Sequence, residues 1–251
     1  MENIEKNLYA FYRCFGDVEN VDYQASRNYS FVNAGNDNWP QIIFDIDKNS
    51  TPEILIPQLA TDILNNNMPS IFVAPGRYIS KEQGNILREQ EIMPVKILIG
   101  MNLAVKVHKD FSLPDKTIFQ ELISDELIVQ YSELINDELL SDKLKLTPLI
   151  LKNLNKHKLK LLGLVNNGQL LSALLLCISE DYGGLYFIVT KNEHQNKGFA
   201  NALIKSTINF SIDIGLNELI LQANQNSVGL YKKIGFVQKN SFIIYKKIEH
   251  E

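Results

Sequence analysis

The sequence is short of several things, and each shortage closes a line of function. It holds two cysteines, Cys14 and Cys177, far apart and in no CxxC pair. That excludes a disulfide framework and cysteine-based zinc or redox motifs. Its four histidines (His108, His157, His194 and His250) are scattered, none at the i, i+4 spacing of a helical metal pair, so no metal is expected. The longest apolar stretch, Leu170–Ile178, is about half of what a bilayer span needs. The opening Met1-Glu2-Asn3-Ile4-Glu5-Lys6 has no apolar leader core, so no secretory signal is expected and the setting is cytoplasmic and reducing. Positive charge is not in excess: 25 Lys and Arg against 29 Asp and Glu leave −4, which points away from nucleic acid and membrane as partners. The patterns GxxxxGK[ST], GxSxG, HExxH and GxGxxG are all missing.

What is present is an ordinary globular composition, 45% hydrophobic and 22% charged, over 251 residues. That length suits one large or two small domains. The polar stretch Lys109-Asp-Phe-Ser-Leu-Pro-Asp-Lys116 carries a proline that interrupts regular structure, and it marks a seam between domains 1–112 and 113–251.

In the second domain, residues 119–155 place Leu122, Leu127, Ile128, Tyr131, Leu134, Ile135 and Leu139 at helical spacing, which predicts two helices broken near Thr147-Pro148. Two apolar runs then flank Asn167-Gly168, a strong hairpin signal, because a type I′ turn needs positive φ at both central residues. A third strand, Leu185–Thr190, completes an antiparallel meander. Ala200, Leu203, Ile204, Thr207, Ile208, Ser211 and Ile212 form one helical stripe, ended by Gly215. A strand at 219–223, a short helix at 227–234 and a closing hairpin (236–237 with 241–248) follow. Antiparallel meander first and βαβ crossover second give an α/β (α+β) class with a mixed, mostly antiparallel sheet flanked by helices.

The first domain shows a degenerate echo of this order: a helix at 2–15, strands near 29–34 and 41–46, a helix near 53–66, a strand at 70–74, a helix at 80–90 and strands from 93 to 106. Ile86–Met93 stands where the second domain has Gly229–Phe236.

Two segments carry chemistry. Thr190-Lys-Asn-Glu-His-Gln-Asn-Lys-Gly-Phe-Ala200 joins a strand to a helix, with Gln195, Gly198 and Ala200 at the helix start. The amides of that first turn have no intrahelical acceptor and sit at the positive end of the dipole, a setting for a pyrophosphate. Gly198 allows close approach and Lys197 adds charge at the rim. A plain strand-to-helix loop with a capping glycine would look the same in isolation. The second segment, Asn224-Gln-Asn-Ser-Val-Gly-Leu-Tyr-Lys-Lys-Ile-Gly-Phe236, follows the next strand directly.

Together these segments resemble the GNAT (Gcn5-related N-acetyltransferase) superfamily. Its acyl-CoA loop, Gln/Arg-x-x-Gly-x-Gly/Ala, is matched by Gln195, Gly198 and Ala200. Its later signature is matched by Asn224 or Asn226, Leu230, Tyr231, Gly235 and Phe236. The resemblance implies the acyl-CoA N-acyltransferase fold over about 117–251, with a degenerate GNAT-like first domain. It also implies that acetyl-CoA or another acyl-CoA is the co-substrate, without a metal. The pantetheine arm would pair with Ile188, Val189 and Thr190, the pyrophosphate would meet Gln195, Asn196, Lys197, Gly198, Phe199 and Ala200, and Asn226, less favourably Asn224, would contact the cofactor. Tyr231 would be the general acid to the departing thiolate. The acceptor implied is a small amine or peptide.

The departures are Asn192 where the family loop usually has proline, and no carboxylate in Leu185–Thr190, where many members place a glutamate base. Glu180, Asp181, Glu193 and His194 are substitutes, each also readable as a solvated loop residue. This lack supports an alternative, a non-catalytic acyl-CoA-binding or regulatory module. In the first domain Arg88 stands where Tyr231 stands in the second. Trp39, Tyr29, Phe31 and Phe44 are candidates for an acceptor pocket or for core. Lys152, Lys156, His157, Lys158 and Lys160 form a basic patch that reads best as a solvated helix end beside a lysine-protected strand.

Overall fold

The computed structural model describes residues 2–35, 37–46, 51–65, 68–140, 144–154 and 158–248. Lys156, His157 and His250 lie outside the described residues. The N-terminal half runs α1 (Asn3–Arg13), β1 (Asp22–Ala25), β2 (Ser30–Asn33), β3 (Gln41–Phe44), α2 (Pro52–Leu64), β4 (Ile71–Pro75), α3 (Lys81–Glu89) and β5 (Ile92–Ala104). The C-terminal half runs β6 (Ile118–Glu121), α4 (Asp125–Glu138), α5 (Pro148–Asn153), β7 (Leu159–Asn166), β8 (Gln169–Ser179), β9 (Tyr182–Thr190), α6 (Phe199–Asp213), β10 (Glu218–Ala223), α7 (Val228–Ile234) and β11 (Val237–Lys247).

The described residues make one sheet of eleven strands, ordered β1-β2-β3-β4-β11-β5-β10-β9-β8-β7-β6. The stretches β1–β5 and β7–β11 repeat one another. Each begins with an antiparallel meander and reaches a parallel neighbour through a helix, β3 to β4 through α2 and β9 to β10 through α6. A tight turn cannot make such a parallel connection. The last strands are exchanged: β11 lies between β4 and β5, and β5 between β11 and β10. Each half therefore completes its sheet with a strand from the other.

Four elements differ from the sequence expectation. Residues 118–121 are a strand, not the start of a helix. Ile118 and Phe119 are β-favouring residues that pair with β7, and the helix begins only at Ser124, whose hydroxyl accepts from the Leu127 amide at 3.3 Å. Residues 92–104 form a single long strand; Pro94 is tolerated because β11 alone flanks it and the register shifts beside it. Residues 237–247 are one strand with a bulge between Gln238 and Asn240 rather than a hairpin, since β5 pairs along its whole length. The short strand β1 was not foreseen.

Alternation along the strands divides the core. One face of the sheet buries α1, α4 and α5 against Ala173, Leu175, Tyr186, Val189 and Ile220. On the other face α6 and α7 cover Leu174, Leu176, Leu185, Leu219 and Leu221, and α2 cores the N-terminal half against Ile43, Phe72 and Ala74. Asn7 of α1 is fully buried at the centre of the first face. Its amide donates to the Cys177 carbonyl at 3.0 Å and to Ser179 Oγ at 2.9 Å, and its oxygen accepts from the Tyr186 hydroxyl at 2.8 Å. Cys14 and Cys177, remote in sequence, are free buried thiols in mutual hydrogen-bond contact, which lowers the Cys14 pKa and, with burial, raises that of Cys177. Among the described residues no helix is long and apolar enough to cross a membrane.

Candidate active site

Strands β9 and β10 stay paired over only four positions, from Tyr182 opposite Glu218 to Leu185 opposite Leu221. Beyond Leu185 they part. β9 keeps β8 as its neighbour as far as Thr190, and β10 keeps β5 as far as Ala223. The split begins at a bulge: between Tyr186 and Val189, Phe187 and Ile188 together face Leu174 alone. Phe187 sits at φ 46°, a left-handed backbone that bulky residues rarely adopt. Its carbonyl accepts from the Tyr131 hydroxyl at 3.2 Å, so a buried helix side chain holds the irregular turn of strand in place.

A cavity of about 310 Å³ fills the split. Ile188, Ala223, Asn224, Ser227 and Tyr231 line its α7 side. Tyr231 is buried at 7% exposure, and its hydroxyl has no hydrogen-bond partner among the described residues. Burial pushes its pKa up to about 12, so the phenol keeps its proton at neutral pH. The opposite wall is aromatic: Phe11 and Tyr12 of α1, Trp39, Tyr186 and Phe187. Phe11 stacks on Tyr186 with centroids 3.8 Å apart, and Trp39 meets Phe187 edge-on at 4.9 Å. The Trp39 amide donates to the Lys145 carbonyl at 2.9 Å, which anchors this N-terminal loop to the C-terminal half.

The loop after β9 makes a 3-10 turn at Asn192–His194, then passes through left-handed Asn196 (φ 58°) and Gly198 (φ 87°) into α6. Glu138 at the end of α4 braces it, accepting from the Asn192 amide at 3.1 Å and from Gln195 Nε2 at 3.2 Å. The first bond of α6 runs from the Ala202 amide to the Gly198 carbonyl, so Phe199, Ala200 and Asn201 present amides without intrahelical acceptors. A Cβ at Gly198 would meet nothing within 4 Å, so glycine is required there for its backbone angle and leaves open space above. A second cleft, of about 300 Å³, adjoins this helix start, with Lys197, Asn201 and Lys205 on one side and Phe111, Leu113 and Pro114 of the seam on the other.

The predicted residues distribute as follows. Ile188 and Tyr231 line the split, with Val189 and Thr190 continuing the β9 edge, while Lys197 and Gly198 line the adjoining cleft beside Phe199 and Ala200. Gln195 turns its side chain back to the Thr190 carbonyl at 3.2 Å and its amide to the Asn192 carbonyl, which shapes the loop. Asn224 lines the split while its oxygen caps α7 at Ser227; Asn226 is exposed and lines neither cavity. Glu180 and Asp181 sit at the far end of β9, and Glu193 and His194 on the exposed turn, so none of the four reaches the split. Of the four aromatic candidates only Trp39 lines it. Phe31 and Phe44 are core, and Tyr29 donates to Asp62 at 2.9 Å elsewhere. In the basic patch Lys152 pairs with Asp125 at 3.0 Å and Lys160 with Glu121 at 3.1 Å, as a solvated face would. The α1 aromatics, the Phe187 bulge, Glu138 and Lys96 are site residues that the sequence pattern does not mark. Phe11 and Tyr12 follow a helical apolar pattern that core residues share, and nothing in the residue type marks Phe187 for a bulge.

A split parallel pair, a bulged strand and a glycine-capped helix start after it make a recognisable frame. The fold is that of the GCN5-related N-acetyltransferases. A GCN5-related N-acetyltransferase from Kribbella flavida is 10% identical and superposes with a TM-score of 0.68, covering 97% of this chain and 96% of its own. One from Sphaerobacter thermophilus is 13% identical, with a TM-score of 0.63 over 90% of this chain and 75% of its own. A tandem GNAT protein from the clavulanic acid biosynthesis pathway is 10% identical, with a TM-score of 0.60 over 89% and 79%. Residues 161–243 match the family model described as FR47-like protein. No curated protein matches the sequence. The N-terminal half follows the same strand order with a much weaker parallel pair. Its β3 and β4 share a single pair, Ile43 opposite Phe72, and charged pairs with α1 tie down the ends of both strands, Arg13 with Asp45 and Arg77 with Glu5 at 2.8 Å. Arg88 in α3 donates to Asn85 Oδ1 at 2.9 Å.

Proposed function

We propose that the protein is an acyl-CoA-dependent N-acyltransferase, moving an acetyl group from acetyl-CoA directly to a primary amine. The observation that carries this reading is Tyr231, a buried residue whose unpartnered hydroxyl faces the β9–β10 split it lines, beside a helix start whose amides lack acceptors. The residues present fit the co-substrate. The amides of Asn196 to Ala200 and the Lys197 ammonium suit a pyrophosphate, the open edge of Ile188–Thr190 suits the amides of a pantetheine arm, and the Lys205 side of the second cleft suits further phosphate. Asn224 is the better placed of the two asparagines to meet it.

In the reaction the neutral amine attacks the thioester carbonyl, a C–N bond forms and the C–S bond breaks. The bulged β9 backbone offers an amide to the developing oxyanion, and Tyr231 gives its proton to the departing thiolate. The amine proton leaves to water. The residues 1–112 and 113–251 act as two related domains, the first closing the acceptor side of the second.

A thermal-shift titration tests the reading. With a dissociation constant of about 10 μM, 1 mM acetyl-CoA adds about 2.7 kcal/mol by mass action. In a chain of this length that raises Tm by about 5–10 °C. Gly198→Glu, which puts a carboxylate at the phosphate position, is expected to abolish the shift. A folded wild type with no shift overturns the proposal. The absence of a carboxylate from the split, among the described residues, favours a second reading, an acyl-CoA binder without turnover. A thermal shift without acyl transfer to any amine would establish that one instead.

A further inference from the structure

The acceptor side of the split has a composition of its own. Its aromatic slot lies on the α1 face of the sheet, whereas Tyr231 and the α6 start lie on the other, so an acceptor and an acyl-CoA would approach the bulge from opposite faces. Lys96 stands at the rim of the slot. On β5 it alternates with Leu98 and Gly100, and a Cβ on Gly100 would touch Ile4 of α1, so all three face the same side as the slot. Among the described residues Lys96 makes no ion pair, and it is the one charged side chain lining the cavity. The β5 backbone there is open as well: β10 pairs with β5 only from Ile99 onward.

Resting on the acyltransferase reading of this cavity, we infer that the acceptor is a free α-amino acid with an aromatic or large apolar side chain, its carboxylate met by Lys96. The slot of Phe11, Tyr12, Trp39 and Phe187 takes the side chain by edge and face contacts. A polycationic amine fits poorly, since the one charged side chain lining the cavity is a lysine and no carboxylate among the described lining residues would meet its further ammonium groups.

Trp39 is the sole tryptophan of the chain and lines the slot, so its fluorescence reports occupancy without turnover. The experiment titrates the full chain, saturated with CoA, with phenylalanine, phenylalanine amide, phenethylamine and spermidine. Phenylalanine is expected to change the emission saturably and to bind at least ten-fold more tightly than the other three. Lys96→Met is expected to narrow the gap between phenylalanine and its amide to within about two-fold. Equal affinity for acid and amide in the wild type overturns the inference and points to a peptide N-terminus. Tighter spermidine binding, or no response to phenylalanine, overturns it outright. Phenylalanine binding without acetyl transfer would leave the site standing and remove the acyltransferase reading. Acetyl transfer to other amines with no phenylalanine response would do the reverse.

Discussion

Tyr231→Phe is expected to lower kcat by about a hundred-fold or more while leaving the affinity for CoA within two-fold. The phenyl ring preserves the packing against Phe236, 5.9 Å away edge-on, and removes only a hydroxyl that no described residue binds. Loss of a positioned general acid is typically worth about 10²–10⁴ in rate. The pH profile separates this role from a structural one. Burial holds the Tyr231 pKa near 12, above its ordinary value of 10, so the acid form persists until the pH passes through about 12. The rate should therefore rise with pH as the acceptor amine loses its proton, then stay level up to pH 10 in the wild type. An alkaline fall centred near pH 8–9 would assign proton donation to another group. A variant that matches the wild type in kcat would remove Tyr231 from the chemistry.

The sequence carried the C-terminal half of this site well and the N-terminal contribution poorly, for a physical reason. The loop from Gln195 to Ala200 works through backbone amides and a left-handed glycine, so its requirement is written as residue types at fixed spacing. Tyr231 is legible in the same way, since a helix of seven residues fixes it relative to Gly235 and Phe236. The split between β9 and β10 leaves no such mark. It depends on a register shift at Phe187 and on where pairing with β10 stops, and both are settled by neighbouring strands. The acceptor wall is assembled from α1, the Trp39 loop and β5, elements separated by dozens of residues, and aromatic side chains there follow the same pattern as core. The exchange of β5 and β11 was hidden for a related reason: local periodicity identifies a strand but not its neighbour.

The largest loss of stability is expected at the contact that joins α1 to the split sheet. Asn7→Ala removes three hydrogen bonds, two of them fully buried, and leaves the buried Tyr186 hydroxyl without its acceptor. Each unsatisfied buried group costs about 1–3 kcal/mol, so unfolding in denaturant should show a loss on the order of 3–5 kcal/mol. Gly184→Ala is expected to cost a comparable amount from the opposite partner. Its Cβ would overlap Asn7 Oδ1 and lie 2.6 Å from Tyr186 Cε2, both inside contact distance. Because the two changes act on one contact, the double variant should be less destabilised than the sum of the singles by about 1 kcal/mol or more, as groups sharing a partner do not add. Strict additivity would mean that α1 does not hold Tyr186 through Asn7. The consequence reaches the site, since Tyr186 stacks on Phe11 and forms one wall of the slot. Asn7→Ala should then weaken acceptor binding more than CoA binding, because the loop from Gln195 to Ala200 is braced by Glu138 and Thr190 and, among the described residues, shares no hydrogen bond with Asn7.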